Sequence, residues 1–216
     1  MDMTITGIEP YPKGKGRVSI YLNDKFAFVL YKGELSQYGL EIGTVVDDAL
    51  YEKIMNETVF IRARKRGMNL LMKMDRTEAD VRNRLRDGGY PEEAVDNAID
   101  YLRSFKYIDD MRYAGEYIRC KSGSMSRKQI SMKLSQKGVD KGVIEEAFAL
   151  YDDEAGPDNE RSELGLIRKL IMKRCPGGVA DLDYNGKQKL YAYLYGKGFA
   201  ISDIETVVIK LMSDDF

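Results

Sequence analysis

The stretch LRDGGYPEEAVDNAI, residues 85–99, returns in the same register twice further along the chain. The later copies are LSQKGVDKGVIEEAF at 134–148 and LYGKGFAISDIETVV at 194–208, so the starts lie 49 and then 60 residues apart. Few residues are identical, but each copy has a leucine, a glycine four residues later and the same apolar positions beyond it. Such self-similarity indicates tandem copies of one supersecondary unit.

Each copy has the pattern of a helix, a tight turn and a second helix. Apolar pairs four residues apart give the first helix one buried face; they are Val81 and Leu85, Ile130 and Leu134, and Leu190 and Leu194. That helix is expected to end at a left-handed glycine, which adopts this conformation at the least cost: Gly89, Gly138 or Gly198. Thr77 and Ser126 are expected N-caps, and Ser126 with Gln129 has the spacing of a capping box. A preceding helix, predicted over 47–66, 109–121 and 160–173, completes each three-helix unit.

Residues 4–31 have the alternation of strands instead. Apolar residues recur at every second position on both sides of an Asn23-Asp24 turn: Val18, Ile20 and Leu22, then Phe26, Phe28 and Leu30. TITGIE, residues 4–9, is a possible third strand. We therefore predict a mainly α fold of three tandem three-helix repeats in an elongated, curved arrangement, preceded by a small N-terminal antiparallel β-sheet or hairpin. The predicted boundaries are 1–45 for the β extension and 46–106, 107–155 and 156–216 for the repeats.

The composition excludes several classes of protein. The 216 residues include no histidine, so imidazole catalysis and histidine metal ligation are impossible. Cys120 and Cys175 lack CxxC spacing and are expected to be reduced packing residues. No run approaches the ~18 apolar residues of a membrane span, and the start lacks the apolar core of a signal peptide. We expect a cytoplasmic protein without enzymatic activity, cofactor or membrane contact.

One segment imitates a calcium loop. DLDYNG, residues 181–186, supplies oxygen ligands and the turn glycine at the spacing of an EF-hand. The twelfth position, which should provide a bidentate glutamate, is Ala192, and Lys187 and Lys189 add positive charge to the loop. We therefore expect a polar loop and no metal site.

The net charge of −1 conceals alternating acidic and basic bands. The second helix of each of the first two pairs carries carboxylates that phosphate would repel, namely Glu92, Glu93, Asp96, Asp100, Glu145 and Glu146. A helix–turn–helix reader of operator DNA is therefore disfavoured. Basic residues collect before the turns, where they either form ordinary solvated faces with i,i+4 pairs such as Glu78–Arg82 or contact a partner or DNA. The candidate contact residues are Arg62, Arg64, Lys65, Arg66, Arg82, Arg84, Arg86, Arg127, Lys128, Lys133 and Lys137.

Several segments resemble the RecX family of bacterial recombinase regulators. YIDDMRYAGEYIRCK and SMSRKQISMKLSQKGV, residues 107–121 and 124–139, are similar to the central signature of the family. LLMKMDRTEADVRNRLRDGGY, residues 70–90, resembles its first repeat, and RVSIYLNDKFAFVL, residues 17–30, its N-terminal extension. The resemblance covers nearly the whole chain.

The resemblance implies a non-enzymatic modulator of RecA, acting in recombination, DNA repair and the SOS response. Such a protein lies in the groove of the RecA–DNA filament, spans adjacent protomers and usually suppresses ATP hydrolysis and strand exchange. We expect a monomer with weak DNA contact of its own. The alternative is a direct single- or double-stranded DNA-binding protein without a recombinase partner, in which Tyr191, Tyr193 and Tyr195 stack on bases. We expect core and surface roles for these tyrosines instead.

Overall fold

A computed structural model describes residues 3–155 and 162–213 of the chain. These residues divide between two compact units, which meet in sequence at Asp109 and Asp110. The first unit contains an antiparallel sheet and the first helical repeat. The second unit contains the other two repeats.

The sheet has four strands in the order β3-β2-β1-β4. Their bounds are β1 Met3–Pro10, β2 Arg17–Leu22, β3 Lys25–Tyr31 and β4 Val45–Val46. The hairpin and the third strand over TITGIE are confirmed, whereas the short β4 was not predicted. Asn23 and Asp24 both have positive φ, 47° and 63°, as a two-residue hairpin turn requires.

A shift of register between Ile20 and Tyr21 corrects one detail of the predicted alternation. Phe28 and Leu30 are buried as expected, but Phe26 is 42% exposed. The irregularity interrupts the period of two, so positions on either side of it no longer share a face.

Helix α1, Lys32–Tyr38, follows the sheet and was not predicted. The helix predicted over 47–66 is longer than expected and consists of α2 Asp48–Ile54, a π-helical turn over Met55–Val59 and α3 Phe60–Leu71. Its apolar face continues beyond residue 66 because Gly67 and Leu70 are buried. A Cβ on Gly67 would lie 2.6 Å from Cδ1 of Leu102, so glycine allows the two helices to approach closely.

The first helix–turn–helix pair consists of α4 Glu78–Asp87 and α5 Glu92–Ser104. The Thr77 side chain caps α4 by accepting from the Asp80 amide, and Gly89 adopts the predicted positive φ, 82°. The buried faces of the pair pack with the inner face of the sheet in one core, which includes Ile20, Phe28, Val81, Leu85, Val95, Ile99 and Leu102.

The second unit contains two three-helix repeats. Their helices are α6 Asp110–Lys121, α7 Arg127–Gln136, α8 Lys141–Ala155, α9 Glu163–Arg174, α10 Tyr184–Gly196 and α11 Ile201–Ser213. The capping box of Ser126 and Gln129 is present, and Gly138 and Gly198 have positive φ of 82° and 89°. LYAYLYGKGF, over residues 190–199, is helical as far as Gly196. The predicted start of α9 at residue 160 lies outside the described residues.

Within this unit the two repeats are joined through a turn. The Ser126 hydroxyl, which caps α7, donates a hydrogen bond of 2.7 Å to the carbonyl oxygen of Lys197. A Cβ on Gly198 would lie 2.9 Å from the same hydroxyl, so the glycine is required for close approach as well as for its φ. Each repeat keeps its own core, one around Ile130 and Leu134 and the other around Leu190 and Leu194.

Candidate nucleic-acid interface

The first unit contains a basic cleft of about 590 Å³ between the sheet, helix α3 and the α4–α5 turn. Its lining has six basic side chains and one acidic side chain; the residues are Lys13, Arg17, Tyr31, Arg62, Lys65, Arg66, Asn69, Arg84, Asp87, Gly88 and Tyr90. Four of the predicted contact residues meet here: Arg62, Lys65, Arg66 and Arg84. We call this surface the basic cleft.

Helical spacing explains why α3 contributes so much of the lining. Arg62, Lys65, Arg66 and Asn69 occupy positions i, i+3, i+4 and i+7, which lie along one face of a helix. Another face of the same helix, with Ala63, Gly67 and Leu70, is buried in the core. A single amphipathic helix therefore anchors the cleft and supplies three of its six cations.

Arg17 and Arg62 are held in fixed positions in the cleft wall. Nη2 of Arg17 donates to the Gly88 carbonyl at 2.6 Å, and its guanidinium lies 4.7 Å from the centroid of the Tyr11 ring. Arg62 donates to the Val29 carbonyl, pairs with Glu34 and lies 4.8 Å from the centroid of the Tyr31 ring. These contacts restrict the movement of both guanidinium groups.

The outer cations of the cleft are less constrained. Lys65 and Arg66 are exposed, and neither has an ion pair or hydrogen bond among the described residues. Lys13 lies 3.4 Å from Asp87 in an exposed pair, and Arg84 pairs with Asp80 at 2.9 Å. Surface pairs of this kind contribute about 0–1 kcal/mol, so an incoming anion can displace them at little cost.

Tyr90 brings a hydroxyl group to the lining. Burial raises the pKa of the Tyr90 phenol, and the nearby guanidinium groups of Arg62, Arg17 and Arg66 act on it in the opposite direction. The net effect is a raised pKa, so the phenol is protonated at neutral pH and can donate a hydrogen bond.

Arg82 and Arg86, two of the predicted contact residues, join helix α4 to helix α5. Arg82 donates to Glu78 at 2.9 Å and to Asp96 at 2.5 Å. Arg86 forms a two-point pair with Glu92, from Nε at 2.8 Å and from Nη2 at 2.6 Å. The acidic band on α5 thus neutralises part of the basic band on α4. Internal ion pairing accounts for both arginines.

Arg64 is likewise occupied within the first unit. Its Nε donates to the Asn97 side chain at 2.8 Å, and its guanidinium lies 5.0 Å from the centroid of the Tyr101 ring. It points toward α5, whereas its neighbours Lys65 and Arg66 line the cleft.

The basic residues of the second repeat also divide into paired and unpaired groups. Arg127 pairs with Asp152 at 2.5 Å and lies 4.5 Å from the centroid of the Phe148 ring. Lys137 lies 5.9 Å from the centroid of the Tyr113 ring. Lys128 and Lys133 are exposed and have no ion pair among the described residues.

The tyrosines of α10 do not form one exposed row. Tyr191 and Tyr193 are partly buried against the core of the third repeat, whereas Tyr195 is exposed. Tyr193 also lies between two cations, 4.3 Å from Arg174 and 5.1 Å from Lys197, measured to the ring centroid. This arrangement favours the packing role over a ladder of stacking rings.

The segment that imitates a calcium loop caps a helix. The Asp183 side chain accepts a hydrogen bond of 2.7 Å from the Gly186 amide at the start of α10. In the part of the chain that the structure describes, no three histidine, cysteine, aspartate or glutamate side chains form a group suited to a metal ion. No described helix is both long enough and apolar enough to cross a bilayer.

Sequence reasoning missed the contribution of the β extension to the cleft. Lys13 and Arg17 belong to the segment YPKGKGR, residues 11–17, whose basic character is visible in the sequence. No local sequence pattern marks Tyr31 and Tyr90 as cleft residues, because only the tertiary fold brings the end of β3 beside the α4–α5 turn.

The fold is that of a modular protein built from tandem three-helix units, with a basic cleft in its first unit. Family models match the chain in four consecutive parts: the regulatory protein RecX N-terminal domain at 3–47 and the first, second and third three-helix domains of RecX at 63–102, 109–147 and 162–208. The chain belongs to the RecX family.

Relatives and solved structures agree with this assignment. The regulatory protein RecX of Clostridium tetani is 30% identical, with 98% of this chain and 95% of the relative covered. That of Clostridium acetobutylicum is 28% identical, with 98% of both chains covered. A crystal structure of regulatory protein RecX matches with a TM-score of 0.61 at 29% identity, covering 95% of this chain and 98% of that chain. RecX from Lactobacillus salivarius also matches at 0.61, with 26% identity over 70% of this chain and 96% of that chain.

Proposed function

We propose that this protein regulates a RecA recombinase by binding the RecA–DNA filament and lowering its ATP hydrolysis and strand exchange. Membership of a family whose relatives are named regulatory proteins supports the regulatory role. On this proposal the protein is a cytoplasmic monomer without enzymatic activity, and its partner is the filament. The β extension and the three repeats, with boundaries at 45, 106 and 155, act as successive binding modules.

The distribution of unpaired cations is the observation that carries the proposal. Lys65 and Arg66 lie in the basic cleft of the first unit, and Lys128 and Lys133 lie on the second repeat. Weak sites on separate modules of one chain bind a repeating partner more tightly together than singly, because the second contact is intramolecular. A filament with regularly repeated protomers and phosphates is such a partner.

A titration of the protein into RecA on single-stranded DNA tests the proposal. We expect the rate of ATP hydrolysis to fall as the protein is added and to level off at a fixed ratio to RecA. An unchanged rate at saturating protein would exclude the inhibitory role. Fluorescence anisotropy on the same DNA without RecA measures the direct DNA contact separately.

The cleft also favours a second candidate function, direct DNA binding without a recombinase. Six basic side chains in one concave surface suit a phosphate backbone. On this alternative the affinity for DNA alone accounts for every effect on RecA, since the protein competes for the strand. The two functions differ in their stoichiometry: filament binding saturates against RecA protomers, whereas competition saturates against nucleotides.

A further inference from the structure

We propose that the second and third repeats are joined by a polar latch, whose opening lets the third repeat change its angle to the second. The latch consists of two hydrogen bonds, one from Ser126 to Lys197 and one from Arg127 to Glu163. The inference goes beyond the proposed function and does not depend on it, because it rests on contacts within the second unit. A hinge of this kind lets two modules adjust their spacing to a partner.

The two repeats keep separate apolar cores. One core surrounds Ile130 and Leu134 in the second repeat, the other surrounds Leu190 and Leu194 in the third, and the two clusters have no residue in common. In the first unit, by contrast, the sheet and the helices share one core. Burial of apolar surface is the main force that holds packed elements together. A change of angle between the second and third repeats therefore leaves both cores covered.

Polar contacts join the repeats instead. The Ser126 hydroxyl donates to the Lys197 carbonyl at 2.7 Å, and the Arg127 amide donates to Oε1 of Glu163 at 3.0 Å. The guanidinium group of Arg127 pairs with Asp152 of its own repeat. A hydrogen bond contributes little net free energy, because water replaces the partner that is lost. Two such bonds therefore form a connection that opens readily.

Two clefts adjoin the latch. Arg127 of the second repeat and Glu163 of the third line a cleft of about 280 Å³ with Phe148, and another of about 330 Å³ with Tyr195. Interlocked protein interiors leave few voids larger than a water molecule. Space on this scale between the repeats leaves room for one to move against the other.

Glu163 favours the opening of the latch. Burial raises the pKa of its carboxyl group, the contacts with Arg127 lower it, and the nearby carboxylates of Asp203 and Asp152 raise it. The net effect is a raised pKa, so the ionised carboxylate is less stable at the closed junction than in water. The closed arrangement thus holds a charge at a cost that opening relieves.

The test measures the distance between the two repeats in the full chain by double electron–electron resonance. One spin label is attached to Cys120, an exposed residue of α6. The other is attached through Lys189→Cys at an exposed position of α10, and Cys175→Ser prevents labelling of the second native cysteine. No recombinase or DNA is present, so the result is independent of the proposed function.

The latch variant combines Glu163→Ala, which removes one acceptor, with Gly198→Ala. A Cβ on Gly198 would lie 2.9 Å from the Ser126 hydroxyl oxygen, so the second contact is disrupted as well. The matched control combines Glu146→Ala with Gly138→Ala. It removes an exposed carboxylate and replaces a glycine whose φ of 82° is close to the 89° of Gly198, and neither residue lines the two clefts. Circular dichroism confirms that all variants are folded.

We expect one dominant distance in the wild type and a second population in the latch variant. Relative to the wild type, the ratio of open to closed molecules should rise at least about twentyfold in the latch variant and about fivefold for Glu163→Ala alone, as expected for two hydrogen bonds and for one. Glu163→Gln keeps an acceptor without the charge and should leave the junction at least as closed as in the wild type. The control should superimpose on the wild type.

Two results would overturn the proposal. The first is a latch variant whose distance distribution superimposes on that of the wild type, which would show that other contacts fix the angle. The second is a control that broadens as much as the latch variant, which would assign the effect to the loss of a carboxylate or to the strained glycine position.

Discussion

Nη2 of Arg17 donates a hydrogen bond of 2.6 Å to the main-chain carbonyl of Gly88. The contact joins the first residue of β2 to the residue before the left-handed glycine of the α4–α5 turn. The Tyr11 hydroxyl adds a second bond, 2.9 Å long, to the neighbouring carbonyl of Asp87. The β extension is thus held against the turn of the first repeat, and the basic cleft lies at this junction.

Replacing Arg17 should therefore destabilise the first unit. For Arg17→Ala we expect a loss of about 1–3 kcal/mol, because a hydrogen bond from a charged group and the packing on Tyr11 both disappear. Urea unfolding of the full chain, with hydrogen exchange at residues 88–90 as a local probe, measures the effect. Lys15→Ala, which replaces an exposed residue of the loop before β2, is the control. Equal unfolding curves for the two variants would contradict the role given to Arg17.

The glycine after this contact is constrained in two ways. Gly89 has a φ of 82°, and a Cβ added to it would lie 2.7 Å from Cγ2 of Val29 and 2.9 Å from the Tyr11 ring. Gly39 has a similar φ of 65° with open space around it. Gly39→Ala should cost about 1 kcal/mol for the backbone alone, and Gly89→Ala should cost clearly more. If thermal melts show the same decrease in stability for both variants, the close approach of Gly89 to Val29 and Tyr11 does not constrain this position.

Arg82 and Arg86 are predicted to act on stability. Both pair with carboxylates of α5, and the Arg82 and Glu78 side chains are about four-fifths buried. Replacing both arginines by alanine should lower the free energy of unfolding by about 1–2 kcal/mol, since it removes the hydrogen-bonded ion pairs that join α4 to α5, although Glu78 keeps its pair with Arg103. The Lys65→Ala/Arg66→Ala variant should stay within about 0.5 kcal/mol of the wild type. A stable Arg82/Arg86 variant with weakened DNA binding would instead place these residues in the interface.

The Arg86–Glu92 pair predicts a specific pH dependence. The hydrogen bonds from Arg86 hold the pKa of the Glu92 carboxyl below its ordinary value of 4.5. A carboxyl with a lowered pKa in the folded state stabilises the protein above the unfolded pKa, and the contribution is lost as the pH falls below it. Glu92→Gln should therefore be less stable than the wild type at pH 7, by under about 1 kcal/mol because the pair is exposed. The difference between the two proteins should shrink as the pH falls through the lowered pKa of Glu92. A difference that does not change with pH would rule out the ion pair as its cause.

The repeat architecture was predictable because it depends on local signals. The glycines at 89, 138 and 198 all adopt positive φ, and Ser126 and Gln129 form the predicted capping box. A turn that requires glycine and a helix start that requires a hydroxyl leave marks in the sequence itself. Helix α1 was missed because seven residues with no buried side chain provide no apolar period to detect.

The division of the basic residues into paired and unpaired groups was not predictable in the same way. Arg82 and Lys65 look alike in the sequence, yet Arg82 pairs with Asp96, fourteen residues away on another helix, whereas Lys65 has no described ion pair. The side of α3 on which each cation lies follows from helical spacing. The element that faces that side depends on how the sheet packs, which no local pattern specifies. For the same reason, the part of Arg17 in the cleft emerged only from the folded structure.

ATP hydrolysis by RecA on single-stranded DNA, measured against increasing protein, tests the central claim most directly. Three proteins are compared: the wild type, Lys65→Ala/Arg66→Ala and the control Lys53→Ala/Lys73→Ala, with circular dichroism to confirm that all three are folded. The proposal predicts that the wild type and the control lower the rate at the same concentrations, and that the cleft variant requires at least about tenfold more protein. A wild type that leaves the rate unchanged at saturation would contradict the proposed regulation of RecA, and a cleft variant whose curve superimposes on the wild-type curve would contradict the part assigned to the cleft.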